Sequence, residues 1–431
     1  MIYYSHRTRK ALAEGHVYLP LGFAHYSYGS VCQKFQKLFE ASELAAEELM
    51  MPEIYASYAD LGARGAARPL HVAFKPYEEI RLLKGAANVA HVAWEFDRLP
   101  TLGELAQDHP RRANPMNDYV RMLRLADEVW VGCTYTKQVF EGHGLGHVEV
   151  LPAPIETGRA PPRRRLAAGR VARMAGFELT RQAVAALVES TGAPRLEQAT
   201  LLRAHETRAA GGRVFVSVFN PSDPRKNIGA LLLGFQSFLR RQRRADLLII
   251  KLVLADTQDA LRLALREQMP RAFERIGVPF SFMDCANILV VPEHLTPDAL
   301  SNLYRAADFY VCTSAAEGQG LPMQEAMAAG LVPISPAITA MADYILPGHA
   351  VVMAATRAPI PLQTAEAYGL GGLSWNMVDH REVSAALAAA AAMAPDEHER
   401  RARAAWQFIR DHYGFDVLRE TLLARRKALL A

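Results

Sequence analysis

Residues 308–336 read DFYVCTSAAEGQGLPMQEAMAAGLVPISP, and this stretch decides how the chain folds. An apolar run ends near Thr313 and predicts a strand. The loop Glu317-Gly318-Gln319-Gly320-Leu321 follows. Pro322 then stands at the start of the next helix, where a missing N–H costs nothing. The helix runs through Met327 and stops at Gly330, a residue suited to the left-handed position after a helix end. A new strand begins at Val332. Strand, glycine loop and helix in this order aim the unpaired N–H groups of the helix at an anion. Gly318 and Gly320 let the backbone approach a ligand with no Cβ in the way.

Two carboxylates bracket the loop, Glu317 and Glu325, eight positions apart. Glu317 falls on the loop at the carboxyl end of a sheet, and Glu325 is expected in the first helical turn. Both can accept hydrogen bonds from sugar or ribose hydroxyls. A first-turn Glu is also a common capping or dipole partner, so the residues alone leave both readings open.

Outward from this segment, short aliphatic runs alternate with helical patterns. The runs lie at 17–23, 70–74, 89–95, 128–132 and 148–151, then at 214–219, 247–254, 288–291, 309–313, 332–335 and 350–353. Helical patterns cover 31–50, 227–242, 257–276 and 297–307. Such alternation predicts parallel sheets covered on both faces. Eleven strands are many for one sheet, so two doubly wound α/β domains are expected. The boundary falls in 156–212, which opens with Pro161, Pro162 and Arg163 to Arg165. Two helices follow, around 180–190 and 194–208, and Gly211-Gly212 close it. The arginine run is either a solvated linker face or a contact for an anionic membrane surface.

Composition narrows the function classes. A net charge of +4 over 431 residues, without a nucleic-acid motif, argues against nucleic acid as a partner. Cys32, Cys133, Cys285 and Cys312 are far apart, with no C-x-x-C pair, so neither a zinc site nor a disulfide framework is indicated. The expected setting is a reducing cytoplasm, with peripheral contact at the inner face of a membrane as the variant. The longest aliphatic stretch, 247–255, is too short to span a bilayer and contains Lys251.

The run EGQGLPMQEAMAAGLVPIS resembles the signature of retaining GT-B glycosyltransferases of the group 1, or family 4, type. Their pattern reads roughly E-G-F-G-L-P-x-x-E-A-M-A-x-G-x-P-V-I, and Gln319 stands here for the usual aromatic. Residues 215–235, FVSVFNPSDPRKNIGALLLGF, resemble the family's first C-terminal strand and the loop where basic side chains hold the donor diphosphate. Asn220 is near the place where many members have an arginine.

The resemblance implies a GT-B fold: two Rossmann-like domains facing a central cleft, with a C-terminal helix crossing back to the first. The implied domains are 1–212, including the 156–212 segment; 213–403, binding the nucleotide sugar; and 404–431, the returning helix. It also implies that Glu317 contacts the transferred sugar and Glu325 the ribose. Arg225, Lys226, Gly318, Gln319, Gly320 and Leu321 would surround the rest of the donor, Arg225 offering phosphate a fork and Lys226 a point charge.

On the acceptor side, Tyr28, Gly29 and Ser30 sit in what reads as a strand-to-helix loop, either an acceptor loop or a simple capped turn. Alternation along 89–95 would put His91 and Glu95 on one side, with Asp97 beyond, reaching the crevice as catalytic groups. The competing reading makes His91 a core histidine and Asp97 the structural partner of Arg98.

The implied activity is transfer of a hexosyl or related sugar, with retention, from a nucleotide sugar to a glycan or lipid-linked glycan in polysaccharide synthesis. No cofactor is implied. The absence of any Asp-x-Asp removes the expected ligands for a required metal. A same-fold epimerase, a phosphorylase or a non-catalytic nucleotide-sugar-binding subunit are the alternatives, although no cofactor-binding lysine for a phosphorylase stands out.

Overall fold

The computed structural model describes residues 1–6, 25–49, 52, 68–104, 118–158, 161, 174–189, 198–242, 245–254, 258–368 and 370–431. Two sheets organise them. The first contains β1 (Ile2–His6), β2 (Ala46–Glu48), β3 (Leu70–Phe74), β4 (Ala87–Val92), β5 (Glu128–Val131) and β6 (Val148–Val150), in the order β2-β1-β3-β4-β5-β6. All its pairings are parallel.

The second sheet is built on β9 (Val214–Phe219), β10 (Leu247–Leu252), β11 (Cys285–Val291), β12 (Phe309–Val311), β13 (Val332–Pro336) and β14 (Val351–Met353). Its order, from one edge, is β14-β13-β12-β9-β10-β11, again parallel. Central strands such as β10 are buried along their whole length, as sheets covered on both faces require. The two doubly wound domains expected from strand–helix alternation are therefore present.

Three boundaries differ from the sequence expectation. Within 156–212, β7 (Ala175–Leu179) and β8 (Gln198–Ala199) add antiparallel strands to the β11 edge of the second sheet. The described residues from 174 onward thus belong with the second domain, not the first. The helix Pro395–Tyr413 also stays there, burying Trp406 and Ile409, so the crossing back begins at Gly414 rather than at 404. From there the helix Phe415–Leu430 packs Leu418 and Leu422 into the first domain's core beside Phe35, Phe74 and Trp130. Arg425 ties it down, with Nη2 2.6 Å from buried Glu128 Oε1.

The first helix is the third difference. His25–Ala41 starts earlier than the apolar periodicity suggested and ends sooner, because Ala46–Glu48 leaves as a strand. Tyr28, Gly29 and Ser30 are therefore helical residues and not a loop. The strand expected at 17–23 lies outside the described residues.

A hairpin, β15 (Thr356–Pro359) with β16 (Ser374–Met377), leaves the second domain after β14. Leu373 and Trp375 pack against Trp94, Phe96 and Leu99 of the first domain, making one apolar cluster across the domain boundary. No helix among the described residues is long and apolar enough to cross a membrane.

Candidate active site

In the second sheet the chain passes from β9 to β10 and β11, and β12 then returns to the other side of β9. A strand order that reverses opens a crevice at the carboxyl ends of the two strands involved. A cleft lies there, lined among others by Ser217, Lys226, Thr313, Ser314, Glu317 and Gly320.

The helix Leu321–Ala328 starts at its rim. Gly320 caps it with φ of 80°, and a Cβ there would fall 2.3 Å from the Tyr344 hydroxyl, so the position requires glycine twice over. Gly318 runs against the first domain: a Cβ on it would meet Ala93 Cβ at 3.3 Å and Glu95 Oε1 at 3.4 Å. The helix end, the glycine loop and the floor of the cleft thus converge as the sequence predicted.

The charges are paired. Lys226 Nζ donates to Glu317 Oε1 at 2.5 Å. Burial by itself would lower the Lys226 ammonium, but Glu317 and Asp223 outweigh it and hold the group above its ordinary range. Lys226 is therefore a committed cation at the cleft.

Arg225 is differently engaged. Its Nε and Nη2 donate to Asp223 at 3.1 and 2.8 Å. Its Nη1 lies 2.6 Å from Glu95 Oε1 of the first domain, without an aligned hydrogen bond. Burial would push Asp223 upward, yet the charges of Arg225 and Lys226 hold its carboxyl below the usual range. The fork expected to grip phosphate is thus occupied by two carboxylates in this structure.

Glu325 lies one turn deeper in its helix than expected. Its Oε1 is 2.8 Å from Lys34 Nζ, on the first domain's helix His25–Ala41. Lys34 and Asp223 are site residues that the sequence reading missed. Lys34 belongs to an ordinary amphipathic helix and carried no signal. Asp223-Pro224 did carry one, an N-cap residue before a proline at the start of a short helical turn.

Gln319 has its backbone on the glycine loop, but its side chain turns away from the cleft. The amide pairs with the main chain of Ala153 in the first domain, accepting from its N–H at 2.9 Å and donating to its carbonyl at 2.8 Å. Only the backbone of Gln319 is left to face a donor.

The acceptor-side candidates divide. Glu95 faces the site, next to Arg225 and Gly318. His91 does not. It is 3% exposed, its ring lies 5.1 Å from that of Phe35 and 5.3 Å from that of Phe74, and burial depresses its pKa to about 4. The alternation argument fails because β4 ends at Val92, so the register of the strand does not carry from His91 to Glu95. His91 is a neutral core residue.

Asp97 binds the β15–β16 hairpin, accepting from the Arg357 guanidinium and from the Ser374 N–H, the latter at 3.1 Å. Neither Asp97 nor His91 is among the side chains lining the cleft. Arg98, expected as the partner of Asp97, instead donates to Glu104. Tyr28 is buried, with its hydroxyl accepting the Ala93 N–H at 3.2 Å, whereas Ser30 points outward. Among the described residues no group of three or more His, Cys, Asp or Glu is arranged to hold a metal ion.

Two doubly wound sheets, with a cleft at the switch point of the second, define a GT-B fold. Residues 214–367 match the model of the Glycosyl transferases group 1 family, which covers the site from β9 through the signature loop. No curated protein matches the chain by sequence.

Among solved structures, the chain is similar to a UDP-forming α,α-trehalose-phosphate synthase from Burkholderia vietnamiensis. The identity is 16% over 91% of this chain and 80% of that one, with a TM-score of 0.51. An E. coli trehalose-6-phosphate protein bound with UDP-2-fluoro glucose gives 12% identity over 100% and 99%, TM-score 0.55. S. aureus TarM, in a complex containing UDP, gives 11% over 84% and 55%, TM-score 0.50. At these identities the likeness establishes the GT-B fold, and residues 214–367 carry the group 1 glycosyltransferase resemblance.

Proposed function

We propose that this chain is a retaining glycosyltransferase that binds a nucleoside diphosphate sugar in the β9–β12 cleft. The observation that carries the reading is the Lys226–Glu317 pair, set at the switch point beside the N-terminus of the helix Leu321–Ala328. As the sugar–phosphate bond breaks, the anomeric carbon gains positive charge and the diphosphate gains negative charge. Lys226 and the loop N–H groups would stabilise the departing diphosphate, leaving Glu317 to bind the sugar. Glu325 would exchange Lys34 for the ribose hydroxyls.

Glu95 is the acceptor-side carboxylate closest to this chemistry, and it would orient an acceptor hydroxyl. The acceptor is proposed to be a glycan or lipid-linked glycan at the inner face of a membrane, in polysaccharide synthesis. Transfer is proposed to need no metal, resting on the missing Asp-x-Asp and on phosphate neutralisation by Lys226. UDP is the first nucleotide to try, because TarM and the E. coli protein were seen with UDP or a UDP sugar.

The test is calorimetry of UDP, GDP, ADP and dTDP and of their sugars, with wild type and Glu317→Ala. A saturable nucleoside diphosphate site and loss of transfer in the variant are expected. If none of these nucleotides binds, the reading fails.

A further inference from the structure

We propose that Gln319 is a positioning residue that locks the donor loop onto the first domain and thereby sets the closed arrangement in which transfer occurs. The inference rests on the donor-cleft reading above, but its evidence is separate. Gln319 is buried and uses both its amide N–H groups, one on the Ala153 carbonyl and one on Gln324 Oε1 at 2.8 Å. Its carbonyl accepts the Ala153 N–H. Its backbone carbonyl accepts the Tyr344 hydroxyl at 2.9 Å.

One side chain therefore imitates a strand partner for a fully buried main-chain residue of the other domain, while the second domain grips it from behind. The contact continues at Gly132, where a Cβ would fall 2.9 Å from the Gly318 carbonyl. Backbone packs on backbone at this seam, so the loop has little freedom to shift while the amide pairing holds.

The pairing also imposes a penalty on its own loss. Ala153 offers a buried N–H and carbonyl that, among the described residues, this amide alone is seen to satisfy. An apolar side chain at 319 would leave both unpaired in the closed form, whereas in an opened form water would satisfy them. Removing the amide thus favours opening and draws the loop carrying Glu317 away from Glu95 and the acceptor side. The nucleotide contacts proposed above involve second-domain residues and are left in place.

The experiment compares wild type, Gln319→Met and Gln319→Glu. It reads nucleoside diphosphate affinity by calorimetry, steady-state transfer, and amide exchange of the segment 148–155. In Gln319→Met, kcat should fall roughly ten- to hundred-fold, nucleotide affinity should stay within about threefold, and exchange in the segment should accelerate.

Gln319→Glu should show the same split at neutral pH, where a carboxylate faces the Ala153 carbonyl. Its transfer, relative to wild type, should recover as the pH falls and the carboxyl gains an O–H donor. This variant keeps the size of the amide and serves if the Met variant does not fold. Unchanged kcat in both variants would overturn the proposal. So would parallel losses of affinity and turnover, which would place the side chain on the donor instead. Absence of nucleotide binding in wild type is a different result, since it removes the donor reading while segment exchange still reports whether the lock exists.

Discussion

Replacing Arg225 by Ala should destabilise the protein more than it weakens nucleotide binding. Arg225 is 8% exposed, and its guanidinium donates twice to Asp223 and approaches Glu95. Its removal leaves Asp223, itself 6% exposed, with a charge that Lys226 offsets in part. Breaking a buried ion pair from one side costs about 3–5 kcal/mol, a large share of the roughly 5–15 kcal/mol that separates folded from unfolded domains. The loss should appear as a lower urea midpoint. Arg225→Ala with Asp223→Asn should recover part of it, because the double variant buries no orphaned carboxylate. Calorimetry with a nucleoside diphosphate should show a modest change beside that of Lys226→Ala. If Arg225→Ala cost less than about 1 kcal/mol while abolishing diphosphate binding, the guanidinium would be a phosphate ligand and the structural assignment would be wrong.

Other outcomes follow from the same geometry. Lys226→Ala should weaken nucleoside diphosphate binding far more than nucleoside binding, and equal losses would place the ammonium elsewhere. Glu317→Ala and Glu325→Ala should each cut transfer by orders of magnitude while leaving the circular dichroism spectrum unchanged. Asp97→Asn should keep wild-type transfer, because its partner Arg357 is largely exposed and such pairs contribute up to about 1 kcal/mol. Loss of transfer would return Asp97 to the active site.

Stability should depend on pH through His71 and His91, both neutral in the fold with pKa depressed from 6.5 to about 4. Between those values the unfolded chain binds protons that the folded chain does not, so stability falls as pH drops from 6.5 to 4 and levels off below. Each shift corresponds to roughly 3 kcal/mol at most. Denaturation of His91→Leu across this window should show a shallower slope, and an unchanged slope would mean that the ring is protonated in the fold.

The primary sequence determined the local machinery of the donor side. Proline at a helix start, glycines at a strand-to-helix loop and aliphatic strands at regular spacing act within a few residues. They could be read as two doubly wound domains with a glycine loop beside an anion-seeking helix end. The short polar strand Ile2–His6 was not legible, because its place in the sheet comes from pairing with β2 and β3 and not from an apolar pattern of its own. The strand Ala175–Leu179 was likewise fixed by pairing with β11.

What only the tertiary structure decided was the partner of each charge and each amide. Arg225 looked free for phosphate until Asp223 and Glu95 were seen around it. Gln319 looked like a donor contact until Ala153 appeared opposite. His91 and Glu95 are four residues apart, yet one lies in the core and the other at the cleft, because the strand ends between them. Side-chain type sets what a group can do, but the choice among possible partners is made by whichever of them the fold brings within about 3 Å.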